Sequence, residues 1–455
     1  MITNPLPLNM LQVITSLGGE VYLVGGCVRD SLLDVANNDV DLLVCGMPMP
    51  MLIGVCGNFG KVELVGQSFG VIKFTPPDGQ TIDIALPRTE TSTGQGHTEF
   101  DVVSDYTLPV ETDLARRDFT INAIAVKLSD GSIIDPFGGM ADIQSRTLRM
   151  IGPQAFPDDP LRIRRGVQFA ARFNLTVDPT TLLAMREHAP SVSTIAPERV
   201  AYELEKLLTK AGKPSVGFRL MQVTGVLAIL LPEIEAMVGC TQEGTKHVFD
   251  VFNHTMYAVD TAPADMTIRL AALFHDVGKP STKSIDPKDS GRVHFYGHEE
   301  VSGRMVPSIL DRLRFSSKMA EDVSVLVREH MYSVLGGPKS QRKLVQRVGV
   351  ERIDSLMALK VADAIAHDPN KSIDKVHEFN AQVSAMLTAG PVVVSPRGLA
   401  INGRDLMSEL GMSVGPMIGQ TLKYLVEHVV DDPSLNTREQ LIKIARMYME
   451  SLPRP

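Results

Sequence analysis

The feature that most constrains the fold is a change of pattern near residue 145. Before it, short β-rich runs alternate with glycine and proline, which is typical of strands joined by turns. These runs predict strands at 21–24, 40–44, 62–65, 71–74 and 81–86. After about Asp158 apolar residues recur with helical period, and the runs predict helices at 160–173, 197–209, 216–223, 267–274 and 319–329. We therefore expect an α/β head with a small mixed sheet on a mostly α-helical body.

A chain of 455 residues is too long for one hydrophobic core. Breaks that carry proline and glycine lie at 237–246 and 388–398. Together with the change of pattern, they predict four domains at 1–145, 146–236, 237–370 and 371–455.

The composition narrows the protein's location and partners. No apolar run approaches membrane-span length, so we expect no membrane partner. The first eleven residues lack a basic flank and a small-residue cleavage site, so we expect no signal peptide. Cys27, Cys45, Cys56 and Cys240 lie far apart, which favours reduced thiols in the cytoplasm. The net charge is −8, yet residues 146–219 hold 12 Lys/Arg against 7 Asp/Glu, a balance that suits a solvated helical face or a phosphate-binding surface.

Two aspartates, Asp39 and Asp41, lie at strand spacing, which points both carboxylates to one face. Such a pair either edges an exposed strand or holds Mg²⁺ through oxygen ligands. Bound metal would orient a hydroxyl and a leaving pyrophosphate for in-line displacement. Asp83, in a later strand, is either solvent-facing or a third ligand. Gly25 and Gly26 follow the first predicted strand and form either a plain turn or a close approach to phosphate.

A short polar run contains Arg116, Arg117, Asp118 and Asn122. Arginine suits triphosphate oxygens because its guanidinium binds bidentately and stays charged. Asp118 and Asn122 lie four residues apart, so in a helix they would share a face and could hold a ribose hydroxyl. The alternative is a helix-start cluster of caps and surface ion pairs.

A basic helix is predicted to begin at Asp159-Pro160, where the aspartate suits an N-cap and the proline suits the first helical position. Helical spacing places Arg162, Arg165 and Arg172 opposite an apolar stripe. Asp159 accepts and Arg162 donates hydrogen bonds, as reading the Watson–Crick edge of a base requires.

Histidines cluster in the helical body. Six of the eleven fall within one stretch: His247, His254, His275, His294, His298 and His330. A single such histidine is usually structural. The adjacent pair His275-Asp276, with His298-Glu299, His330 and Asp363 downstream, favours a site for one or two transition-metal ions.

These motifs resemble a known family. The run Gly25-Gly26-x-Val28-Arg29-Asp30, followed by Asp39-x-Asp41, is similar to the first signature of class II tRNA nucleotidyltransferases and bacterial poly(A) polymerases. These enzymes belong to the DNA polymerase β-like superfamily. The runs 114–123, 134–139, 158–162 and 196–203 resemble the family's later motifs in the same order. Asp158 replaces the usual glutamate of the fourth motif.

The resemblance implies roles for these residues. Asp39, Asp41 and Asp83 would hold Mg²⁺, and Asp159 with Arg162 would select CTP and ATP. The remaining nucleotide contacts would come from Gly26, Arg29, Arg116, Arg117, Asp118, Asn122 and Arg165. The span 88–110 would be the flexible loop that assists the change from C to A addition, and 396–407 with 415–420 would contact tRNA.

The second cluster is similar to the HD phosphohydrolase superfamily in its pattern His254…His275-Asp276…Asp363. This resemblance implies a divalent transition metal (Mn, Ni, Fe or Co) and a phosphatase, 2′-nucleotidase or 2′,3′-cyclic phosphodiesterase activity. The whole pattern implies addition of CCA to tRNA in the cytoplasm. A poly(A) polymerase or a CC- or A-adding enzyme stays an alternative. So does an HD phosphohydrolase with a catalytically silent, RNA-binding head.

Overall fold

The structure is a computed structural model that describes residues 5–36, 39–65, 71–77, 79–92, 100–242, 249–286, 292–367, 372–390 and 392–452. The chain forms two compact units, Met1–Pro232 and Glu233–Pro455. No helix in the described ranges is long and apolar enough to cross a membrane.

The first unit is built on short strands. They are β1 (Glu20–Val24), β2 (Asp41–Cys45), β3 (Lys61–Val65), β4 (Val71–Thr75), β5 (Ile82–Ala85), β6 (Arg88–Ser92), β7 (Phe100–Ser104), β8 (Ala125–Lys127), β9 (Ile133–Ile134), β10 (Thr147–Leu148) and β11 (Thr176–Val177). Of these, β1 and β2 are buried along nearly their whole length, and β4 and β5 alternate more and less buried residues. Within the described residues, seven of them form one mixed sheet in the order β3-β4-β5-β2-β1-β8-β9. β2 and β5 run parallel, whereas β1 pairs antiparallel with both β2 and β8.

The helices of this unit cover the sheet and extend beyond it. They are α1 (Leu8–Ser16), α2 (Gly26–Leu32), α3 (Met49–Gly57), α4 (Val110–Ala115), α5 (Gly139–Gln144), α6 (Ala155–Asp158), α7 (Leu161–Phe173), α8 (Pro179–Glu187), α9 (Pro197–Lys210), α10 (Ser215–Thr224) and α11 (Val226–Leu230), with α12 (Pro232–Glu235) at the division between the units. α7 packs on α9 and α10. It buries Ile163, Val167 and Ala170, the apolar stripe that the sequence predicts.

Within its described residues, the second unit is helical apart from one antiparallel pair of strands, β12 (Ser284–Asp286) and β13 (Arg292–His294). Its helices are α13 (Val251–Thr261), α14 (Met266–Phe274), α15 (Lys279–Thr282), α16 (His298–Arg312), α17 (Ser317–Glu329), α18 (Pro338–Val348), α19 (Ile353–His367), α20 (Asp374–Ala389), α21 (Gly403–Leu410), α22 (Pro416–Asp431) and α23 (Arg438–Ser451). α13, α14, α17 and α19 pack together, and α21, α22 and α23 share a separate apolar cluster. The predicted α/β head and helical body are both confirmed. The four domain boundaries stay predictions.

Candidate active sites

The turn between β1 and α2 requires glycine at residue 25. Gly25 has a φ of 75°, a left-handed conformation that strains other residues. A Cβ atom there would also come within 2.7 Å of Arg117 Nη1. Gly25 and Gly26 line the main cavity of this unit, which has a volume of about 970 Å³. The predicted turn therefore lies at a pocket.

The three predicted metal-binding aspartates line this pocket. β2 begins at Asp41, so Asp39 precedes the strand and the predicted common strand spacing does not hold. Both residues nevertheless line the cavity, together with Asp83. Asp41 and Asp83 are register partners on the parallel strands β2 and β5. Their side chains therefore lie on the same face of the sheet at neighbouring strands.

The electrostatics of Asp41 favour a bound cation. Burial raises the pKa of Asp41, the neighbouring Asp83 and Asp39 carboxylates add to this rise, and Arg117 opposes it. An ion with two positive charges would offset both the burial and the repulsion. The donors are all carboxylate oxygens, which suit a hard divalent cation. Lys73, on the neighbouring strand β4, places its Nζ 3.5 Å from Asp83 Oδ1.

Two arginines of the pocket are anchored by one buried carboxylate. Arg116 Nη2 and Arg117 Nη2 lie 2.6 and 2.9 Å from the two oxygens of Asp113, which is fully buried. Burial opposes ionisation of Asp113, but Arg117 and Arg116 outweigh it and lower the pKa. Sequence reasoning missed Asp113. Its position on α4, three residues before Arg116 and four before Arg117, was a usable signal.

Asp118 and Asn122 lie around a short 3-10 helix, Thr120–Asn122, rather than along an α-helix. Asn122 Nδ2 donates to Asp118 Oδ1 over 2.8 Å, and Arg165 Nε donates to Asp118 Oδ2 over 2.7 Å. Arg29 Nη1 donates to Asn122 Oδ1 over 2.6 Å. Both predicted residues line the pocket, where they hold two of its arginines.

Arg29 is buried in the wall of the pocket. Its guanidinium lies 5.0 Å from the ring centroid of Phe169 and 4.7 Å from that of Phe173, and it forms an ion pair with Asp30. Aromatic faces attract guanidinium groups and fix their orientation. Arg29 is therefore held rigidly by α2 and α7 together.

The predicted base-reading pair lies at the start of α7. The helix begins at Leu161 with Pro160 at its N-cap, so Asp159 and Pro160 each lie one position earlier than the sequence predicts. Asp159 Oδ1 accepts a hydrogen bond from the Leu161 amide over 3.0 Å. Arg162 donates to the Arg116 carbonyl over 2.6 Å. Arg199, on α9, lies 4.0 Å from Asp159 Oδ2 and was missed by sequence reasoning. Asp159, Arg162 and Arg199 all line the cavity that holds the carboxylates.

A second site lies in the helical unit, and it joins the four predicted residues. His254 Nε2, on α13, lies 3.2 Å from His275 Nε2 and 3.0 Å from Asp363 Oδ1. His275 Nε2 lies 3.2 Å from Asp276 Oδ2. Imidazole and carboxylate donors in this arrangement suit a divalent transition metal. His247, from the same predicted cluster, lies outside the described residues.

Asp276 divides its two oxygens between two groups of histidines. Oδ2 lies 3.6 Å from His254 and faces the set above. Oδ1 lies 3.3 Å from His298 Nε2 and 3.9 Å from His330 Nε2. The Asp276 carboxylate could therefore contact two ions, one through each oxygen. The sequence suggested His298 and His330 as metal ligands, and the structure places both beside Asp276 Oδ1.

The charges around Asp276 are strongly coupled. Burial opposes its ionisation, but His275 and Lys279 outweigh burial and hold the pKa of Asp276 well below its usual range. Lys279 Nζ lies 2.7 Å from Asp276 Oδ2. Sequence reasoning missed this lysine. Burial lowers the pKa of His330 to about 3, and the nearby His275 adds to this effect. A neutral imidazole is the form that binds metal.

One further histidine lies beside this site. His367 Nε2 lies 3.5 Å from Asp363 Oδ1, and its ring centroid lies 4.5 Å from that of His254. Sequence reasoning missed His367. Its position four residues after Asp363 on α19 was the available signal.

The head and its carboxylate site define a nucleotidyltransferase, here joined to a helical unit with an HD-type site. The family model described as "Poly A polymerase head domain" matches residues 21–149. The model described as "Probable RNA and SrmB- binding site of polymerase A" matches 174–238, and the HD domain model matches 245–368. The chain belongs to the family of multifunctional CCA proteins, because it is 34% identical over 423 residues to the member from Xanthomonas campestris pv. campestris (strain B100).

That match covers 89% of this chain and 96% of the relative. The multifunctional CCA protein of Nitrosococcus oceani is 36% identical over 401 residues, covering 84% of this chain and 95% of the relative. Among solved structures, the Bacillus stearothermophilus CCA-adding enzyme in complex with CTP has a TM-score of 0.70 at 23% identity, covering 98% of both chains. The Thermotoga maritima CCA-adding enzyme complexed with tRNA has a TM-score of 0.53 at 20% identity, covering 98% of this chain and 97% of that one. The predicted family and the predicted class of enzyme are confirmed.

Proposed function

We propose that the head of this chain adds and repairs the 3′-terminal CCA of tRNA, using CTP and ATP without a nucleic-acid template. The observation that carries the proposal is one shared cavity. Asp41 and Asp83 line it beside Asp159 and Arg162, so a site for phosphoryl transfer and a site for base selection lie within reach of one nucleotide. The relatives named as multifunctional CCA proteins support the same function.

In this mechanism, Asp39, Asp41 and Asp83 hold Mg²⁺. The ion, when bound, supplies positive charge that activates the tRNA 3′-hydroxyl and stabilises the leaving pyrophosphate. The hydroxyl attacks the α-phosphorus of CTP or ATP, and the bond from that phosphorus to the pyrophosphate oxygen breaks.

The cationic wall orients the triphosphate. Arg116, Arg117 and Arg165 donate to its oxygens, and Gly26 and Arg29 line the same pocket. Asp118 and Asn122 act through these arginines, because their side chains already bind Arg165, Arg29 and each other. Pre-positioned charge of this kind lowers the barrier without reorganisation during the reaction.

Base selection follows from donor and acceptor chemistry. Cytosine and adenine each present an exocyclic amine next to a ring-nitrogen acceptor on the Watson–Crick edge. Asp159 accepts from the amine and Arg162 donates to the ring nitrogen. Uracil and guanine present a carbonyl where the amine would be, which repels the Asp159 carboxylate. One pair of side chains therefore admits CTP and ATP and rejects UTP and GTP.

A direct assay tests this function. Purified protein is incubated with tRNA that ends before CCA, with CTP and ATP supplied separately and together. We expect two residues to be added with CTP alone and three with both nucleotides. Long A tails on unrelated RNA would identify a poly(A) polymerase instead, and a product that stops at CC or accepts only A would identify a partial enzyme.

We propose a metal-dependent phosphohydrolase activity for the second site, because Asp276 faces two sets of histidines through its two oxygens. His254, His275, Asp276 and Asp363 would hold one transition-metal ion of the Mn, Fe, Co or Ni group, and Asp276, His298 and His330 could hold another. The ions, when bound, supply an activated water for attack on a phosphate ester. Lys279 fixes Asp276 and adds positive charge beside the site.

Separate variants distinguish the two activities and test for a silent head. Asp39→Ala is expected to abolish nucleotide addition and to leave hydrolysis of a 2′,3′-cyclic phosphate unchanged. His275→Ala with Asp276→Ala is expected to do the reverse. If nucleotide addition is absent from the wild-type protein while hydrolysis is present, the head is an RNA-binding module.

We also propose that the protein works in the cytoplasm. The free thiols of Cys27, Cys45, Cys56 and Cys240 support this location, because cysteines stay reduced in that compartment. Cell fractionation with an antibody against the native protein tests the proposal.

A further inference from the structure

We propose that His367 is an additional ligand of the metal ion held by His254 and Asp363, so that this site extends one helical turn further along α19. The outer ligand group is defined as His254, Asp363 and His367. The inference rests on the proposed metal site of the helical unit, and it adds a ligand that the HD resemblance does not supply.

The geometry of the outer ligand group suits one ion. Its three potential ligand atoms all lie within 4.8 Å of one another. Asp363 Oδ1 lies 3.0 Å from His254 Nε2 and 3.5 Å from His367 Nε2. Ligand atoms bound at about 2.0–2.2 Å from one metal ion lie roughly 3–4 Å apart. Small movements of the side chains therefore bring all three atoms onto one ion.

The positions of these residues on their helices support the same conclusion. Asp363 and His367 lie four residues apart on α19, so their side chains leave the helix on one face. His254 reaches them from α13, which packs against α19. The His254 and His367 rings approach to 4.5 Å with an angle of 45° between their planes. This tilt lets both rings direct Nε2 towards Asp363.

The exposure of the side chains shows on which side of the site His367 lies. His254 is 2% exposed, Asp363 is 16% exposed and His367 is 26% exposed. His367 is therefore the outermost member of the group, where it would occupy a metal position otherwise filled by water. With His254 and His275, His367 would also raise the number of imidazole ligands of this ion from two to three, which favours Co²⁺ and Ni²⁺ over Mn²⁺.

An i,i+4 ion pair between His367 and Asp363 is the alternative to a ligand. Such a pair contributes to helix stability and does not alter the colour or the affinity of a bound metal. The test therefore measures metal binding directly. The full-length protein is stripped of metal by a chelator and titrated with Co²⁺ alone, following visible absorption and heat of binding.

Three variants accompany the wild-type titration. His254→Ala removes a ligand of the ion proposed for His254, His275, Asp276 and Asp363, and the Co²⁺ bound by the head and by Asp276, His298 and His330 is the baseline. His428→Ala is the matched control, because His428 is a partly buried helical histidine of the same unit outside the ligand groups. His367→Ala carries the test, and His367→Gln replaces it if the alanine variant melts at a lower temperature without metal.

We expect the His367 variant to bind Co²⁺ at least about tenfold more weakly than wild type, since even indirect partners of a metal commonly change affinity by that factor. Its absorption spectrum should also change, and its loss of affinity for Mn²⁺ should be smaller. A folded His367 variant with wild-type affinity and spectrum overturns the inference and leaves the metal site intact. If His254→Ala binds Co²⁺ like wild type, the proposed metal site itself is wrong, and the inference fails with it.

Discussion

Asp41 and Asp83 are register partners on the parallel strands β2 and β5, so the two carboxylates lie side by side and line the same cavity. Burial of Asp41 raises its pKa, and the carboxylates of Asp83 and Asp39 add to this rise. Under the proposed function a divalent cation would offset the burial and the repulsion, and the effects of several substitutions follow from this.

Asp41→Asn is expected to lower the rate of nucleotide addition by at least about a hundredfold, the usual effect of losing one electrostatic group at a reacting centre. The fold should tolerate it, because the neutral amide relieves repulsion with Asp83 and Asp39. The measurement is incorporation of CTP into tRNA lacking CCA, together with thermal melting. A variant that melts like wild type and retains more than half of its activity would contradict the role of Asp41.

Lys73→Met is expected to strengthen Mg²⁺ binding at the head. Lys73 lies 3.5 Å from Asp83 Oδ1 and competes electrostatically with the ion. Removing a unit charge about 6 Å from a doubly charged cation changes affinity by roughly ten- to a hundredfold at effective dielectric constants of about 40 to 80. Nucleotide addition is measured against Mg²⁺ concentration, with Mn²⁺ binding as a second readout. Lys61→Met, which removes an exposed pair with Glu63 on β3, is the control and should leave both unchanged.

Asp113→Asn is expected to weaken nucleotide binding and to lower the free energy of unfolding at neutral pH. The pKa of Asp113 is lowered in the folded protein, so its stabilising effect is present above its usual value of 3.8. That effect is lost as the pH falls through the lowered folded value. The variant should lose about 1–3 kcal/mol of unfolding free energy at pH 7.

Urea denaturation from pH 7 to pH 3 measures this effect. The variant should show a shallower decline of stability towards low pH than wild type, and KM for CTP and ATP should rise together. Asp105→Asn is a control at a partly exposed position, where the Asp105 carboxylate accepts hydrogen bonds from the Thr107 amide and hydroxyl. Equal acid sensitivity in Asp113→Asn and wild type would show that Asp113 is not ionised in the fold.

Asp159→Ala and Arg162→Ala are expected to relax base selection. Each good pairing with a base contributes about 1–3 kcal/mol of discrimination, so the preference for CTP over UTP should fall by roughly ten- to a hundredfold. The measurement is kcat/KM for each of the four nucleotides. Arg186→Ala, on α8, removes an arginine that donates to the Val223 carbonyl and should not alter the preference. An unchanged preference in both pocket variants would place base selection elsewhere.

Local patterns in the sequence determined the secondary structure and most of the candidate site residues. Runs of β-forming residues between glycine and proline predicted the strands, and apolar residues that recur with period 3.6 predicted the helices, because both signals lie within one element. Residue types in short motifs predicted the carboxylates, the arginine cluster and the base-reading pair. The pairing His275-Asp276 drew attention to the metal site, since adjacent donors are visible without a fold.

Only the tertiary structure decided which distant groups meet. Strand register joined Asp41 to Asp83 and placed Lys73 beside them, and packing of α13 on α19 brought His254 to Asp363 and His367. Burial made Asp113 the shared anchor of two arginines and gave the two oxygens of Asp276 different neighbours. Sequence spacing cannot supply these relationships, because they depend on long-range pairing and on which side chains are removed from water together.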